Sequence, residues 1–177
     1  MDLRTHKTRR SIINAFLQLR SKKPVEKISV KELSALAEIN KATFYLHFHD
    51  IYDLSETLER DVVRSCMNGI QHPEDVFRDT RRFIKEMSDS LAANEQLIKL
   101  LFEGSRSSNF VTLFSEELTA VIRTAYPDYV PDMEQNMMMT YLICGGYYTY
   151  MRFCDQGIRP VMQLIEKLSD SIVKLYE

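Results

Sequence analysis

The sequence predicts an all-α fold, and three observations carry that expectation. Apolar residues recur at three- and four-residue spacing along most of the 177-residue chain, the period of helices that bury one face. The strict alternation of a half-buried strand is sustained nowhere. Only 5 glycines and 5 prolines are present, which leaves little room for the many tight turns of a sheet protein.

The elements are taken in chain order. Ile12, Phe16 and Leu19, with Ile13 and Leu17 beside them, predict a first helix over about 5–21. Lys22-Lys23-Pro24 ends it, because the residue before a proline is pushed out of the helical region. Ser29 and Glu32 have the spacing of a capping box and open a short helix with Val30, Leu33, Leu36 and Ala37 inward. Asn40 is a good N-cap for a further helix beginning at Lys41. There Phe44 and Phe48 fall at i, i+4 and point with Ile39 into a small core. Ala42, Tyr45, Leu46 and His49 lie largely opposite, with Thr43 on the flank, and Tyr45 and His47 present polar tips at the edge. Two short capped helices separated by a tight turn make a helix-turn-helix.

Asp50 caps a long helix of about 51–70 with Leu54, Leu58, Val62 and Cys66 inward, broken at His72-Pro73. Helices are then expected at about 73–91, 94–103, 109–126, 132–155 and 160–176. Pro73, Pro131 and Pro160 sit near first helical positions, Gly104 and Gly157 where helices end, and PDYVP at 127–131 reads as a loop. With no internal repeat and no low-complexity linker, the chain divides into 1–50 and 51–177, sharing the connecting helix of about 51–70.

Hydrophobic residues at 45% and charged residues at 27% are the values of a soluble globular protein. No apolar run has the length of a membrane span. The opening MDLRTHKTRRS is charged, unlike the apolar core of a secretory signal. Cys66, Cys144 and Cys154 form no CxxC pair and fit buried thiols in a reducing compartment. The expected location is cytoplasmic. A glycine-rich phosphate loop, HExxH and GxSxG are all missing. His47 and His49, two apart, face different ways on a helix, and His6 and His72 stand alone. The expectation is a non-enzyme with no cofactor and no metal.

The net charge of −2 hides an asymmetry. Residues 1–49 hold ten Lys/Arg against four acids, which is +6, so residues 50–177 carry −8. A basic head on an acidic body fits a head that meets a polyanion.

The run ISVKELSALAEINKATFYLHFHDIYDL resembles the DNA-binding domain of the TetR/AcrR family of transcriptional regulators. Thr43, Tyr45, His47 and Phe48 match the family's T-x-Y-x-H-F pattern. Asp50 and Leu54 match the acid and the leucine that come after it, and Ala37 matches before the turn. The likeness covers about residues 5–60. Two positions depart from it. Glu38 stands where the family usually has a glycine in a left-handed turn, and Ile51 where many relatives have a lysine near a phosphate.

The resemblance implies a TetR-like fold, with an N-terminal three-helix DNA-binding domain and a C-terminal helical domain for dimerisation and effector binding. It implies a dimeric one-component regulator, a repressor that binds a palindromic operator in double-stranded DNA and is released by a small-molecule effector. In a major-groove model Lys41, Ala42 and Thr43 read bases. Tyr45 and His47 hold phosphates, and Asn40 belongs to the same surface. Ser29 and Lys31 contact phosphates from the preceding helix, while Arg4, Lys7, Arg9 and Arg10 strengthen the approach.

In the body, Phe77, Phe83, Phe110, Phe114, Tyr126, Met133, Met137 and Tyr141 have the chemistry of an adaptable pocket, with Phe83, Phe110, Phe114, Met137 and Tyr141 the foremost candidates. The segment 141–148 is apolar almost all round, and Gly145 and Gly146 allow close helix approach. The last helix offers Val161, Leu164, Ile165, Leu168, Ile172 and Leu175 at 3–4 spacing. From these, Tyr147, Tyr148, Leu164, Leu168 and Ile172 are the expected dimer contacts, by which the protein partners a second copy of itself. The segment GGYYTYMRFCDQGI is weakly similar to the DhaS-type subgroup. That subgroup supplies the alternative: a TetR-like coactivator that binds protein rather than DNA.

Overall fold

The computed structural model describes residues 3–176, apart from the side chains of Leu3, Arg4, Ile158, Leu175 and Tyr176. Arg4 and Leu175, both named as candidates, therefore lie outside the described side chains. The first three helices are α1 (Leu3–Arg20), α2 (Val30–Leu36) and α3 (Lys41–Tyr45), with a 3₁₀ turn at Val25–Lys27. Ile12, Phe16, Leu19, Leu33, Phe44 and Phe48 are all buried and belong to one continuous cluster. α1 packs on α2, and α2 on α3. Leu36 departs from the expected inward face and is 41% exposed. α2 ends at that residue, so nothing continues the helix to cover it.

The cap of α2 is only half the predicted box. The Ser29 hydroxyl accepts from the Glu32 amide at 3.2 Å, but the Glu32 carboxylate pairs with the Lys23 ammonium. An opposite charge next to Pro24 outcompetes the return bond to the Ser29 amide.

The body is built on α4 (Ile51–Asn68), capped by Asp50, whose carboxylate accepts from the Asp53 amide at 2.8 Å. Its apolar face, including Leu54, Leu58, Val62 and Cys66, is buried. Where one helix was expected over 73–91 there are two, α5 (Asp75–Arg78) and α6 (Thr80–Ala93). The break falls at Asp79, whose carboxylate accepts from the Arg82 amide at 3.1 Å and so caps α6. Short acidic side chains compete for backbone donors in this way and favour a new start over continuation.

Next come α7 (Glu95–Leu101), a 3₁₀ turn at Gly104–Arg106 and α8 (Ser107–Ala125), then α9 (Met133–Phe153) and α10 (Ile158–Tyr176). α10 begins two residues before Pro160, which sits in the first turn, where a missing N–H breaks no intrahelical bond. Gly157 turns the chain between α9 and α10 with φ at 103°, a conformation open to glycine. α8 packs on α4 and α9, and α10 on α6 and α9. Gly69 ends α4 against α6: a Cβ there would stand 2.0 Å from the Ser90 hydroxyl, which donates to the Cys66 carbonyl at 2.8 Å.

A carboxylate fixes α4 to α8. Glu59 is 0% exposed. It accepts from the Ser55 hydroxyl at 2.7 Å, from Arg106 Nε at 2.8 Å and Nη2 at 2.7 Å, and from Asn109 Nδ2 at 3.3 Å. The hydrogen bond to Glu59 raises the Arg106 guanidinium above its usual value. Outside this network, Arg60–Glu116 at 3.1 Å and Arg64–Glu117 at 2.9 Å link the same helices at the surface. Between α6 and α10, Arg81 reaches Asp170 at 2.8 Å. Hydrogen bonds from Arg81 and then Lys174 hold the Asp170 carboxyl down to about 2.

Replacing Arg106 by Met strands the Glu59 charge, and urea unfolding is expected to report a loss of about 3–5 kcal/mol. The double variant Glu59→Met with Arg106→Met is expected to recover most of it. Equal losses in both would show that packing rather than charge sets the cost.

Candidate functional site

The exposed face of the helix-turn-helix is assembled by caps and rings. Asn40 Oδ1 accepts from the Thr43 amide at 2.7 Å and from the Thr43 hydroxyl at 2.9 Å. Asn40 and Thr43 therefore bond each other and hold the start of α3. Phe44, fully buried, meets Tyr45 edge-on with ring centroids 5.5 Å apart and lies 6.0 Å from Phe48. These anchors leave Lys41, Ala42 and Tyr45 exposed. His47 is half-buried, its ring 6.5 Å from that of Phe48.

Ser29 and Lys31 are exposed at the start of α2, beside that surface in the motif. Among the described residues Lys31 and Lys41 have no ion-pair partner. On α1, Lys7 and Arg10 are exposed, while the Arg9 guanidinium lies 5.3 Å from the centre of the Phe48 ring, a cation–π contact. Sequence reading missed that role for Arg9, since the pairing joins α1 to the turn after α3, far apart in the chain. Leu46, immediately after α3, is 83% exposed.

The two departures from the family pattern have clear places. Glu38 has φ at 56°, in the left-handed region, so the turn keeps its geometry with a residue that resists it. Ile51 is buried at the start of α4 and packs in the core cluster.

A second feature lies in the body: a cavity of about 390 Å³ between α6, α8, α9 and α10. Phe77, Phe83, Phe110 and Phe114 line it. The Phe110 ring stacks on Tyr147 at 4.4 Å and on Phe114 at 5.3 Å. Met137 and Tyr141 do not line it; they are 62% and 66% exposed, and their neighbours Met138, Met139 and Leu142 form the wall instead. Met133 is exposed, and the Tyr126 hydroxyl donates to the Glu74 carbonyl outside the cavity. α9 is apolar on most sides, so its spacing gave no sign of which methionine turns inward.

The residues read as dimer contacts also divide. Tyr147 is buried against the cavity, whereas Tyr148, Leu164 and Leu168 are exposed and Ile172 is half-buried. Gly145 faces open space, while a Cβ on Gly146 would meet Ile165 at an ordinary 3.6 Å. Burial pushes the Cys66 thiol up to about 12, which keeps it unreactive. The Tyr147 and Tyr150 hydroxyls are raised by burial as well. Among the described residues no group of three or more His, Cys, Asp and Glu is placed to hold a metal, and no helix is long and apolar enough to cross a membrane.

No protein-family model matches the chain, and no curated protein does. A solved structure does: the crystal structure of a tetR-family transcriptional regulator from Streptomyces coelicolor superposes with a TM-score of 0.62. The match covers 94% of this chain and 81% of that one, at 17% sequence identity. The fold is TetR-like. Within that TetR-like fold α1–α3 form the helix-turn-helix unit, α4 leads out of it, and α6 and α8–α10 enclose the cavity.

Two substitutions test the head's construction. Asn40→Ala removes the oxygen that caps α3, with an expected loss of about 1 kcal/mol in denaturant unfolding. Glu38→Gly relieves the left-handed backbone and is expected to be neutral or stabilising by up to about 1 kcal/mol. A loss of stability there would mean that the Glu38 side chain makes a compensating contact.

Proposed function

We propose that the protein is a dimeric one-component transcriptional regulator, a repressor that binds a palindromic operator through α2 and α3. One observation carries this reading: α3 is clamped by a cap and two buried rings, and it turns Lys41, Ala42 and Tyr45 to solvent, with Lys31 exposed on the adjoining α2. Apart from Tyr45 packing edge-on against Phe44, these side chains make no hydrogen bond or ion pair among the described residues. The charge of +6 over residues 1–49 supplies the attraction to phosphates.

In this reading the N-terminal end of α3 enters the major groove. Lys41 donates to guanine edges, and the methyls of Ala42 and Thr43 meet thymine. Tyr45 and His47 hold phosphates from the side, with Ser29 and Lys31 doing so from α2. Asn40 caps α3 through Oδ1 and presents its amide nitrogen on the same DNA-facing surface. Residues 1–50 form the DNA-binding domain and 51–177 the dimerisation and effector domain, joined by α4.

Dimerisation uses the outer faces of α9 and α10. Met137, Tyr141 and Tyr148 recur along one side of α9, and Leu164 and Leu168 along α10, all half or more exposed. An apolar face of this extent marks an interaction surface, and a second copy supplies the two-fold symmetry that a palindrome mirrors. The two heads then address successive major grooves about 34–36 Å apart. An effector in the cavity favours a body conformation with a different head spacing and so releases DNA by population shift.

A second reading, a coactivator that binds protein, draws on Ile51, buried where a phosphate-contacting lysine is usual, and on Leu46, exposed at the end of α3. Selection of bound sequences from a random duplex pool separates the two. A palindromic site whose affinity falls with added salt is expected. Lys31→Ala should weaken binding alike on all sequences, and Lys41→Ala should cost about 1–3 kcal/mol on the preferred site alone. Failure of a folded dimer to enrich any sequence would favour the coactivator.

A further inference from the structure

The chemistry of the cavity wall selects among ligands. Arg123 is the only charged residue lining it among the described residues; no Asp, Glu, Lys or His takes part. Arg123 is exposed, near the C-terminal end of α8, and has no ion-pair partner among the described residues. Phe110 and Phe114 line the cavity from the other end of the same helix. Thirteen residues separate Phe110 from Arg123 along α8, roughly 20 Å at the helical rise.

Several of the uncharged polar groups in the wall are already bonded within the chain, whereas the buried Tyr147 and Tyr150 hydroxyls have no partner among the described residues. The hydroxyls of Thr80, Ser115, Thr119 and Thr140 each donate to the carbonyl four residues earlier in their own chain, at 3.1, 2.7, 2.7 and 2.8 Å. Asn136 Nδ2 donates to the Asp132 carbonyl at 2.8 Å, and Gln135 Oε1 accepts from the Tyr129 hydroxyl at 2.9 Å. The Tyr147 and Tyr150 hydroxyls can each meet one uncharged polar group, but a ligand with many polar groups along its length would leave the rest unpaired, at a cost for each. A cation would find no carboxylate. A guanidinium at one end, by contrast, offers forked donors matched to a carboxylate.

We infer that the cavity takes a single-chain amphiphile with one anionic end, a carboxylate seated at Arg123 and an apolar tail laid along α8 toward Phe114. This deepens the proposed effector role and rests on it for its regulatory meaning, though not for the binding itself. The volume of about 390 Å³ lies within the range of small-molecule sites, about 300–1,000 Å³.

The test is calorimetric titration of the full chain, without DNA, using decanoate, decanol and decyltrimethylammonium below their aggregation concentrations. Decanoate is expected to bind at least about ten-fold more tightly than the ammonium compound. Arg123→Gln should weaken decanoate about ten-fold and leave decanol unchanged, while Arg123→Lys should restore part of the loss. Arg123 is exposed, so these variants are expected to fold, and unchanged circular dichroism checks it. Equal or tighter binding of the ammonium compound, decanoate affinity indifferent to Arg123, or no binding of any chain would overturn the inference. Any of these with operator binding intact would sink the ligand class alone. Arg123-dependent decanoate binding without DNA binding would sink the regulator reading and leave the cavity's chemistry standing.

Discussion

The carboxylate of Glu59 has no access to water, and an uncompensated charge in that position costs several kcal/mol. Its partners therefore have little freedom. Ser55 comes from α4, Arg106 from the 3₁₀ turn before α8, and Asn109 from the first turn of α8. The same short stretch reaches the head: the Arg20 guanidinium donates to the Glu103 carbonyl at 3.0 Å, and the Ser105 hydroxyl donates to Glu26. One residue past Asn109, Phe110 stacks on Tyr147 in the cavity wall. Residues 103–110 thus touch the head, the helix leaving it and the wall of the cavity within two turns of chain. A displacement of α8's first turn cannot leave any of the three undisturbed, because the buried charge must keep its donors.

The head solves a different problem. A five-residue helix such as α3 has almost no stability alone, since its nucleation cost is spread over too few bonds. It persists here because Asn40 satisfies its first donors and Phe44 and Phe48 sink into the core. The rings crowded into Phe44–His49 are thus divided between anchoring and display. The left-handed backbone at Glu38 is tolerated for the same reason: packing on both sides overdetermines the turn.

What could be read from the sequence was what local chemistry decides. Caps at Ser29, Asn40 and Asp50, the buried stripe of α1 and the inward face of α4 depend on neighbours within one or two turns. The break at Asp79 depended on a choice between continuing and capping, and the sequence spacing favoured neither. Glu59 was out of reach for another reason. It sits between Glu56 and Arg60 and reads as solvated surface until Arg106, 47 residues away, is brought beside it. Along α9, three consecutive methionines face three directions, and a helix apolar all round offers no period to choose between Met137 and Met138. Aromatic positions on α6 and α8, with polar neighbours to fix their phase, were legible; those on α9 were not.

The pairing of α6 with α10 has a consequence for how the chain is made. The Arg81–Asp170 bond joins residues 89 apart in sequence, whereas the contacts among α1, α2 and α3 close within the first fifty residues. On the ribosome, where N-terminal parts fold first, α1–α3 are complete long before α10 emerges to cover α6. A nascent chain therefore carries a finished head on an unfinished body, in which α6 rests on α4 and α5 while the part of its face that α10 covers stays open until that helix arrives.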